Sequence, residues 1–153
     1  MENHISFPSI SLRPATRSEA DTIKQIISAV NINPMGLDWQ RFILAIDPSG
    51  KVIGCGQIKP HAGGLLELAS IAVLPDWRHK GIAHKIIESL ISKQPGRLYL
   101  TCRSGLESFY RQFGFQVVPF SEMPPYYRRI SRLVTLFIRL SRQEDRLLVM
   151  RRN

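Results

Sequence analysis

The chain has 153 residues, 44% of them hydrophobic, which is the length and composition of one globular domain. It contains no apolar run of about 18 residues, so no transmembrane helix is expected, and its first residues lack the pattern of a secretory signal. Lys and Arg number 21 against 12 Asp and Glu, and the net charge of +9 favours an anionic partner. Charge alone does not decide between nucleic acid, an acidic membrane surface, an acidic protein and a phosphorylated cofactor. We expect a cytoplasmic protein.

The two cysteines, Cys55 and Cys102, lie far apart in sequence, inside segments predicted to be strands. Free cysteine is among the residue types most often buried, and two thiols are too few for a metal cluster held by thiolates. The sequence therefore predicts two buried, reduced thiols and no metal site.

The first part of the chain shows strand and helix patterns in alternation. The predicted elements are a loose end at residues 1–8, a strand at residues 10–13, a helix at residues 18–30, a short helix at Leu37–Arg41, and strands at Phe42–Ile46 and Val52–Ile58. Ser18, with Asp21 three residues on, fits a capping box at the start of the first helix. Residues 47–50 form a turn between the two strands, and Gly54 and Gly56 indicate a bulge or a close backbone approach.

The second part continues the same alternation. The predicted elements are strands at Leu65–Leu74, Leu98–Cys102, Phe115–Phe120 and Leu147–Met150, and helices at Gly81–Ser92 and Leu106–Gln112. This order is typical of an α/β fold with a mixed sheet, and no linker or repeat interrupts it. We therefore predict a single domain over residues 1–153.

The segment from Val73 to Ala83 joins a predicted buried strand to a helix. A helix N-terminus offers free backbone N–H groups and the positive end of a dipole, which together bind anions. Gly81 and Ala83 are small enough to let a ligand approach, and Arg78 and Lys80 add positive charge. The segment suits a pyrophosphate, although by its local pattern a plain strand-to-helix connection is equally open.

Two motifs together resemble the GCN5-related N-acetyltransferase (GNAT) family. In that family a strand ends in Val, a Pro follows two residues later, and Arg or Gln-x-x-Gly-x-Gly or Ala opens a helix. Five residues match position by position, namely Val73, Pro75, Arg78, Gly81 and Ala83. The family's next motif, aromatic-Tyr-x-x-x-Gly-Phe, matches Phe109–Phe115, and the resemblance covers roughly residues 10–120. It implies a mixed, mostly antiparallel central sheet flanked by helices, with splayed central strands.

The resemblance also implies acetyl-CoA as the co-substrate, lying in the gap between the splayed strands. The backbone of Ile71, Ala72 and Val73 would hydrogen-bond the pantetheine arm. The pyrophosphate would be held by the amides of Arg78, His79, Lys80, Gly81, Ile82, Ala83 and His84. Many members carry Asn seven residues before the motif tyrosine, where this chain has Arg103. That cofactor contact is therefore lost or replaced by a charged one.

Acetyl transfer to an amine needs a general base for the amine and a general acid for the leaving thiolate. The resemblance gives the acid role to Tyr110, because the matching family tyrosine points at the coenzyme sulfur; a packing aromatic is the alternative. Glu67, six residues before Val73, matches a glutamate that acts as base in several histone-type members. A carboxylate facing solvent is the alternative for Glu67, and His61 and His79 are further base candidates by their chemistry.

Residues 121–145 are predicted to be an atypical basic insertion before the last strand. Pro124–Tyr127 is not expected to enter a regular helix directly. Beyond it, apolar residues at helical spacing and arginines at most other positions predict a basic amphipathic helix. The favoured interpretation is a helix that packs on the domain and shapes the acceptor pocket, and peripheral contact with an acidic membrane is the alternative.

The leading hypothesis is an acetyl-CoA-dependent N-acetyltransferase that moves an acetyl group directly to a primary amine of a small molecule or peptide. A non-catalytic acetyl-CoA-binding module that regulates a protein partner is the alternative. Nucleic-acid binding is disfavoured, because the chain lacks interleaved aromatic residues and a basic reading helix. The acceptor depends on Asn31–Trp39, His61–Gly64 and the segment after Phe120, and the sequence leaves it open. The oligomeric state is open too, with a homodimer among the options.

Overall fold

The computed structural model describes residues 9–141 and 145–153, so the predicted loose end at residues 1–8 lies outside the described residues. In these ranges the strands are β1 (Ser11–Pro14), β2 (Phe42–Ile46), β3 (Val52–His61), β4 (Leu65–Val73), β5 (Leu98–Arg103), β6 (Gln116–Val117) and β7 (Leu147–Arg152). The α-helices are α1 (Ala20–Ala29), α2 (Ile82–Ser92), α3 (Glu107–Arg111) and α4 (Pro125–Ser141).

Within the described residues, seven strands form one sheet in the order β1-β2-β3-β4-β5-β7-β6. Strands β4 and β5 run parallel, with Glu67 opposite Tyr99 in their register. The pairs β1–β2, β2–β3, β5–β7 and β6–β7 are antiparallel. The predicted α/β fold with a mixed, mostly antiparallel sheet is therefore confirmed. In the same part of the chain, no helix is both long and apolar enough to cross a membrane.

The chain contacts divide the described residues into two compact units. Unit 1 holds the chain up to Lys59 together with Leu68–Gln94, and unit 2 holds Pro60–Glu67 together with Pro95–Asn153. The core of unit 1 joins the inner stripe of α1 to β2, and its buried members include Ile23, Ile26, Ile27, Phe42 and Leu44. The prediction that residues 1–153 form one domain stays a prediction.

The cap of the first helix lies at Thr16, two residues before the predicted cap at Ser18. The cap is Thr16 with Glu19, because the Thr16 amide donates to Glu19 Oε2 at 2.8 Å and the Thr16 hydroxyl donates to the same oxygen at 3.0 Å. A 3₁₀ turn over Arg17–Glu19 then leads into α1. Both Thr16–Glu19 and Ser18–Asp21 have the spacing of a capping box, and local hydrogen bonding selects the first.

The two glycines of β3 are sites of close approach, as one of the two readings of their pattern predicted. A Cβ at Gly56 would lie 2.6 Å from Ile71 Cδ1 and 2.8 Å from Ile86 Cγ2, and one at Gly54 would lie 3.0 Å from the Ala72 carbonyl oxygen. Ile86 belongs to α2, so the missing side chain at Gly56 gives this helix room against β3. The β2–β3 register also shifts beside Gly54, because Ala45 pairs with Gly54 and Ile46 pairs with Val52, which leaves the extra residue, Ile53, on β3.

Unit 2 has its own core, formed by Tyr99, Val118, Met123, Tyr127 and Val149. Helix α4 confirms the predicted helix in the basic segment, but it begins at Pro125, so the expectation that Pro124–Tyr127 would delay it is wrong. Proline is tolerated at the first helical position because the N–H that it lacks would have no intrahelical partner there. The Arg128 amide accordingly donates to the Pro124 carbonyl at 3.1 Å.

The segment before α4 contains less strand than predicted. The strand predicted at Phe115–Phe120 is reduced to β6, and a 3₁₀ turn follows at Phe120–Glu122. Proline lacks the amide that a ladder requires, so Pro119 ends the pairing after the Val118 amide donates to the Val149 carbonyl at 2.8 Å. Residues 142–144 of the predicted basic insertion lie outside the described residues.

We expect Gly56→Ala to lower the free energy of unfolding by about 1–3 kcal/mol, because its methyl group would overlap Ile71 and Ile86 in a packed interface. Gly105→Ala is the matched control, since nothing lies within 4 Å of a Cβ at that position. Urea denaturation of both variants measures the difference. An equal stability of the two variants would show that the β3–α2 contact is loose.

Candidate active site

The predicted phosphate-binding turn lies in unit 1, between the end of β4 and the start of α2. A 3₁₀ turn over Pro75–Trp77 comes first, and Gly81 then caps α2 with a φ of 75°, a left-handed conformation that favours glycine. The first hydrogen bond of the helix runs from the Lys85 amide to the Gly81 carbonyl at 3.1 Å. The first amides of an α-helix precede its i→i−4 hydrogen bonds, and the positive end of the helix dipole lies there.

The residues before Gly81 are fixed by contacts on both sides of the turn. Arg78, His79 and Lys80 are exposed. Arg78 Nε donates to the Val73 carbonyl at 3.3 Å, and Lys80 Nζ lies 4.9 Å from the centroid of the Trp77 ring. His79 has a φ of 60°, which costs a non-glycine residue about 1–2 kcal/mol. These contacts favour one conformation of the turn, and two cationic side chains lie beside it.

The space beside Gly81 is open. Apart from its chain neighbours, no atom of the described residues lies within 4 Å of a Cβ built there, so packing does not require glycine at this position. The left-handed φ favours glycine in any case. With a helix N-terminus, its dipole and two exposed cations, the residues present fit an anionic group such as a pyrophosphate. His84, one position beyond Ala83 in α2, lies 3.1 Å from Glu88 through its Nε2 atom.

Strand β4 is distorted just before the residues predicted to bind the pantetheine arm. Ser70 has a φ of 58°, and its hydroxyl accepts a hydrogen bond from Gln57 Nε2 at 2.9 Å. Ala72 is buried and Ile71 and Val73 are half-buried, and the Val73 carbonyl already accepts from Arg78. The left-handed Ser70, which the sequence did not predict, therefore distorts β4 directly ahead of Ile71–Val73 without ending it.

The loop predicted to help select the acceptor is held by two β3 side chains. Gln57 Nε2 also donates to the Gly36 carbonyl at 3.3 Å, and Lys59 Nζ donates to the Met35 carbonyl at 3.1 Å. Gln57 is fully buried, and within the described residues its Oε1 atom has no hydrogen-bond partner. The conformation of the loop at residues 31–36 thus depends on polar side chains of the sheet.

Tyr110 lies in unit 2, on the short helix α3. Its ring contacts Phe109 edge-on, with centroids 5.1 Å apart, and Phe115 edge-on at 6.3 Å. Burial raises the pKa of Tyr110 to about 12, with a smaller contribution from Cys102. The phenol therefore carries its proton throughout the physiological pH range. Arg103, the departure from the family motif, is exposed at the end of β5.

Glu67 lies at the centre of a polar and aromatic cluster in unit 2, here called the Glu67 cluster (His61, Glu67, Tyr99, Tyr126 and Tyr127). Its Oε2 atom lies 2.8 Å from His61 Nε2 and accepts a hydrogen bond from the Tyr127 hydroxyl at 3.0 Å. The side chains of His61 and Glu67 are only 11% and 12% exposed. The alternative of a solvent-facing carboxylate therefore does not describe Glu67.

Aromatic rings surround this cluster. The His61 ring lies 4.2 Å from the Tyr126 ring, with an interplanar angle of 32°, and the Tyr127 ring stacks on Tyr99 at 5.3 Å. Burial, and then the charge of Glu67, raise the pKa of Tyr127 far above its ordinary value and raise the pKa of Tyr126 as well. Tyr127 consequently acts as a hydrogen-bond donor to the carboxylate at every physiological pH.

Chain geometry explains how the cluster forms. His61 ends β3 and Glu67 lies near the start of β4, and the turn between them contains Gly63 and Gly64, with φ of 78° and 75°. Two left-handed residues reverse the chain tightly enough to bring His61 and Glu67 together. The first turn of α4 supplies the two tyrosines. Tyr126 and Tyr127 were not among the predicted site residues. The double glycine between His61 and Glu67 was a visible signal for the pairing of His61 with Glu67.

The comparisons with known proteins bear on both motifs. A family model described as an acetyltransferase (GNAT) domain matches residues 38–117, which is more than half of the chain and includes the Gly81 turn and Tyr110. The chain belongs to the GNAT family of acetyltransferases. Among curated proteins no sequence matches it.

Solved structures support the fold of this GNAT domain. N-acetylglutamate synthase from Neisseria gonorrhoeae, in complex with coenzyme A and N-acetyl-glutamate, is 18% identical with a TM-score of 0.68. The match covers 96% of this chain but 35% of the synthase, so the chain spans about a third of that protein. Rv2747 from Mycobacterium tuberculosis, in complex with CoA and NLQ, is 22% identical with a TM-score of 0.69, and the match covers 93% and 98% of the two chains.

A third solved structure, Escherichia coli ElaA, is 14% identical with a TM-score of 0.68, and the match covers 95% of this chain and 100% of that one. At such identities these likenesses establish the fold. The predicted membership of the GNAT family of acetyltransferases is confirmed by the family model.

The two cysteines of the GNAT domain are free and buried, as predicted. Burial raises the pKa of Cys55 to about 12 and that of Cys102 to about 11. Because the thiolate is the nucleophilic form, neither thiol is suited to covalent catalysis at neutral pH.

We expect Tyr127→Phe to lower the free energy of unfolding by about 1–3 kcal/mol, since the buried Glu67 carboxylate loses a hydrogen-bond donor. Tyr126→Phe is the matched control, because it keeps the ring beside His61 and removes a hydroxyl from a more exposed side chain. Chemical denaturation near neutral pH measures both. If the two variants lose equal stability, the Tyr127 hydroxyl contributes nothing specific to the cluster.

Proposed function

We propose that this chain transfers an acetyl group from acetyl-CoA directly to a primary amine. The observation that carries the proposal is the turn before α2, where Gly81 is left-handed, open to solvent and preceded by two exposed cations. The turn lies inside the segment that matches the GNAT family model. Two of the solved relatives are complexes with CoA, which supports the same cofactor here.

In this proposal the pyrophosphate of acetyl-CoA binds the amides of His79, Lys80, Gly81, Ile82 and Ala83. The Arg78 amide already donates to the Pro75 carbonyl at 3.2 Å, so Arg78 contributes its charge. Hydrogen bonds from several backbone amides to one anion are charge-assisted and need no side-chain reorganisation. The pantetheine arm hydrogen-bonds the backbone of Ile71, Ala72 and Val73. Because the Val73 carbonyl is engaged by Arg78, the amides and the earlier carbonyls of this stretch remain for the arm.

Tyr110 supplies the proton for the coenzyme A thiolate as the carbon–sulfur bond breaks. Its raised pKa keeps it protonated until the thiolate forms, and its partial burial excludes competing water. The base that deprotonates the amine lies in the Glu67 cluster, which joins a buried carboxylate to an imidazole at hydrogen-bond distance.

The acceptor in this proposal is a small amine that also carries a carboxylate, such as an amino acid. The excess of 21 basic over 12 acidic residues favours a negatively charged substrate. The synthase relative was crystallised with N-acetyl-glutamate, which is an N-acetylated amino acid. A panel of amino acids, polyamines and peptides, followed by release of free thiol from acetyl-CoA, tests this choice.

We expect Gly81→Ala to weaken acetyl-CoA binding about tenfold or more, because the new methyl group would occupy the open side of the turn and strain its left-handed backbone. Gly50→Ala is a matched control, since Gly50 is also left-handed, with φ of 88°, and also has open space at its Cβ position. Isothermal titration calorimetry with both variants separates the loss of the binding site from backbone strain. Equal affinities would remove the Gly81 turn from the proposal.

We expect Tyr110→Phe to lower kcat by about 10²-fold or more with little change in acetyl-CoA affinity, because the thiolate loses its proton donor. Steady-state turnover and calorimetry on the same preparation check the two halves of this expectation. Unchanged turnover would exclude Tyr110 as the acid. If the unaltered chain binds acetyl-CoA but acetylates no member of the panel, the non-catalytic binding module becomes the better description.

A further inference from the structure

Glu67 and His61 are both candidates for the base, and their contacts distinguish the two. Glu67 Oε2 is approached by His61 Nε2 at 2.8 Å and by the Tyr127 hydroxyl at 3.0 Å, so two groups converge on one carboxylate oxygen. The lone pairs of Oε2 are therefore engaged by side chains of the protein. The contacts of Glu67 are those of a residue that orients other groups.

The same contacts determine the tautomer of His61. A carboxylate can only accept hydrogen bonds, so Nε2 of His61 carries the hydrogen in the contact with Glu67. In the neutral imidazole the lone pair is then on Nδ1. A carboxylate hydrogen-bonded to one ring nitrogen fixes the tautomer and the orientation of the ring, so that the other nitrogen is the acceptor.

We propose that His61, through Nδ1, is the base that takes the proton from the acceptor amine, and that Glu67 is a positioning residue that fixes the His61 ring. This inference rests on the acetyl transfer proposed above and assigns its base to a particular atom. The Tyr126 ring, 4.2 Å from the His61 ring at 32°, limits rotation of the imidazole out of its plane. The Tyr127 hydroxyl donates a second hydrogen bond to the same Glu67 oxygen and so helps to hold the carboxylate in place.

Acetyl transfer to the amine moves two protons. The neutral amine nitrogen attacks the acetyl carbonyl carbon, a carbon–nitrogen bond forms, and the proton lost from that nitrogen goes to His61 Nδ1. The carbon–sulfur bond breaks, and the departing thiolate takes the phenol proton of Tyr110. The products are the acetylated amine and free coenzyme A, and exchange with water returns a proton to Tyr110 and removes one from His61.

Three substitutions distinguish the role of His61 from that of Glu67, namely His61→Ala, Glu67→Gln and Glu67→Ala. We expect His61→Ala to lower kcat/KM about 10²-fold or more, and added imidazole to restore at least about tenfold of that loss. Glu67→Gln should stay within about tenfold of the unaltered chain, because the glutamine carbonyl can still accept the hydrogen bond from His61. Glu67→Ala should lower kcat/KM more than Glu67→Gln does, and added imidazole should not raise the kcat/KM of Glu67→Ala.

Several outcomes would overturn the inference. If Glu67→Gln falls as far as Glu67→Ala while imidazole fails to rescue His61→Ala, the carboxylate itself is the base. Full activity of His61→Ala also removes His61 from the reaction. Tyr110→Phe must not respond to imidazole, since that variant lacks the acid and keeps the base.

Calorimetry with acetyl-CoA shows whether each variant still binds the co-substrate. Retained affinity in His61→Ala, together with rescue by imidazole, would exclude simple misfolding as the cause of the lost turnover. Failure of this inference is distinguishable from failure of the proposed function. Turnover by the unaltered chain with His61→Ala unimpaired contradicts only the inference, whereas no turnover by the unaltered chain contradicts both.

Discussion

The close approach of α2 to β3 is the constraint on which the phosphate-binding turn depends. A Cβ at Gly56 would overlap Ile71 and Ile86, so the helix packs where it does only because that side chain is missing. The N-terminus of the same helix begins after Gly81, which is exposed. Packing in the interior of unit 1 therefore determines where a helix dipole and free N–H groups can meet an anion.

The second constraint is the reversal of the chain at Gly63 and Gly64. It brings His61 and Glu67 within 2.8 Å of one another, and helix α4 covers them with two tyrosines. A carboxylate at 12% exposure would be costly without partners, and His61 and Tyr127 provide them. The segment that looked least typical in the sequence thus contributes directly to the polar cluster on which the proposed chemistry depends.

Prediction from sequence succeeded best where a pattern is local. The strand at Phe42–Ile46, the helix that follows Gly81 and the close approach at Gly54 and Gly56 all follow from residue types and spacing. One error occurred where two local patterns competed for the helix cap, at Thr16 and Ser18. Another occurred at Pro125, because proline breaks a helix interior but is tolerated at the first helical position, where α4 begins. Choosing between such options requires the hydrogen bonds that the folded chain makes.

The sequence by itself determined the family, because the Gly81 turn and the Tyr110 motif are short, contiguous and correctly spaced. It also determined the mixed α/β order of elements and the burial of both cysteines. Only the tertiary structure decided the partners of Glu67, the left-handed conformation of Ser70 and the buried contacts of Gln57. These depend on residues far apart in the chain, such as Glu67 and Tyr127, and no local spacing records a contact that forms when a helix packs over a strand end.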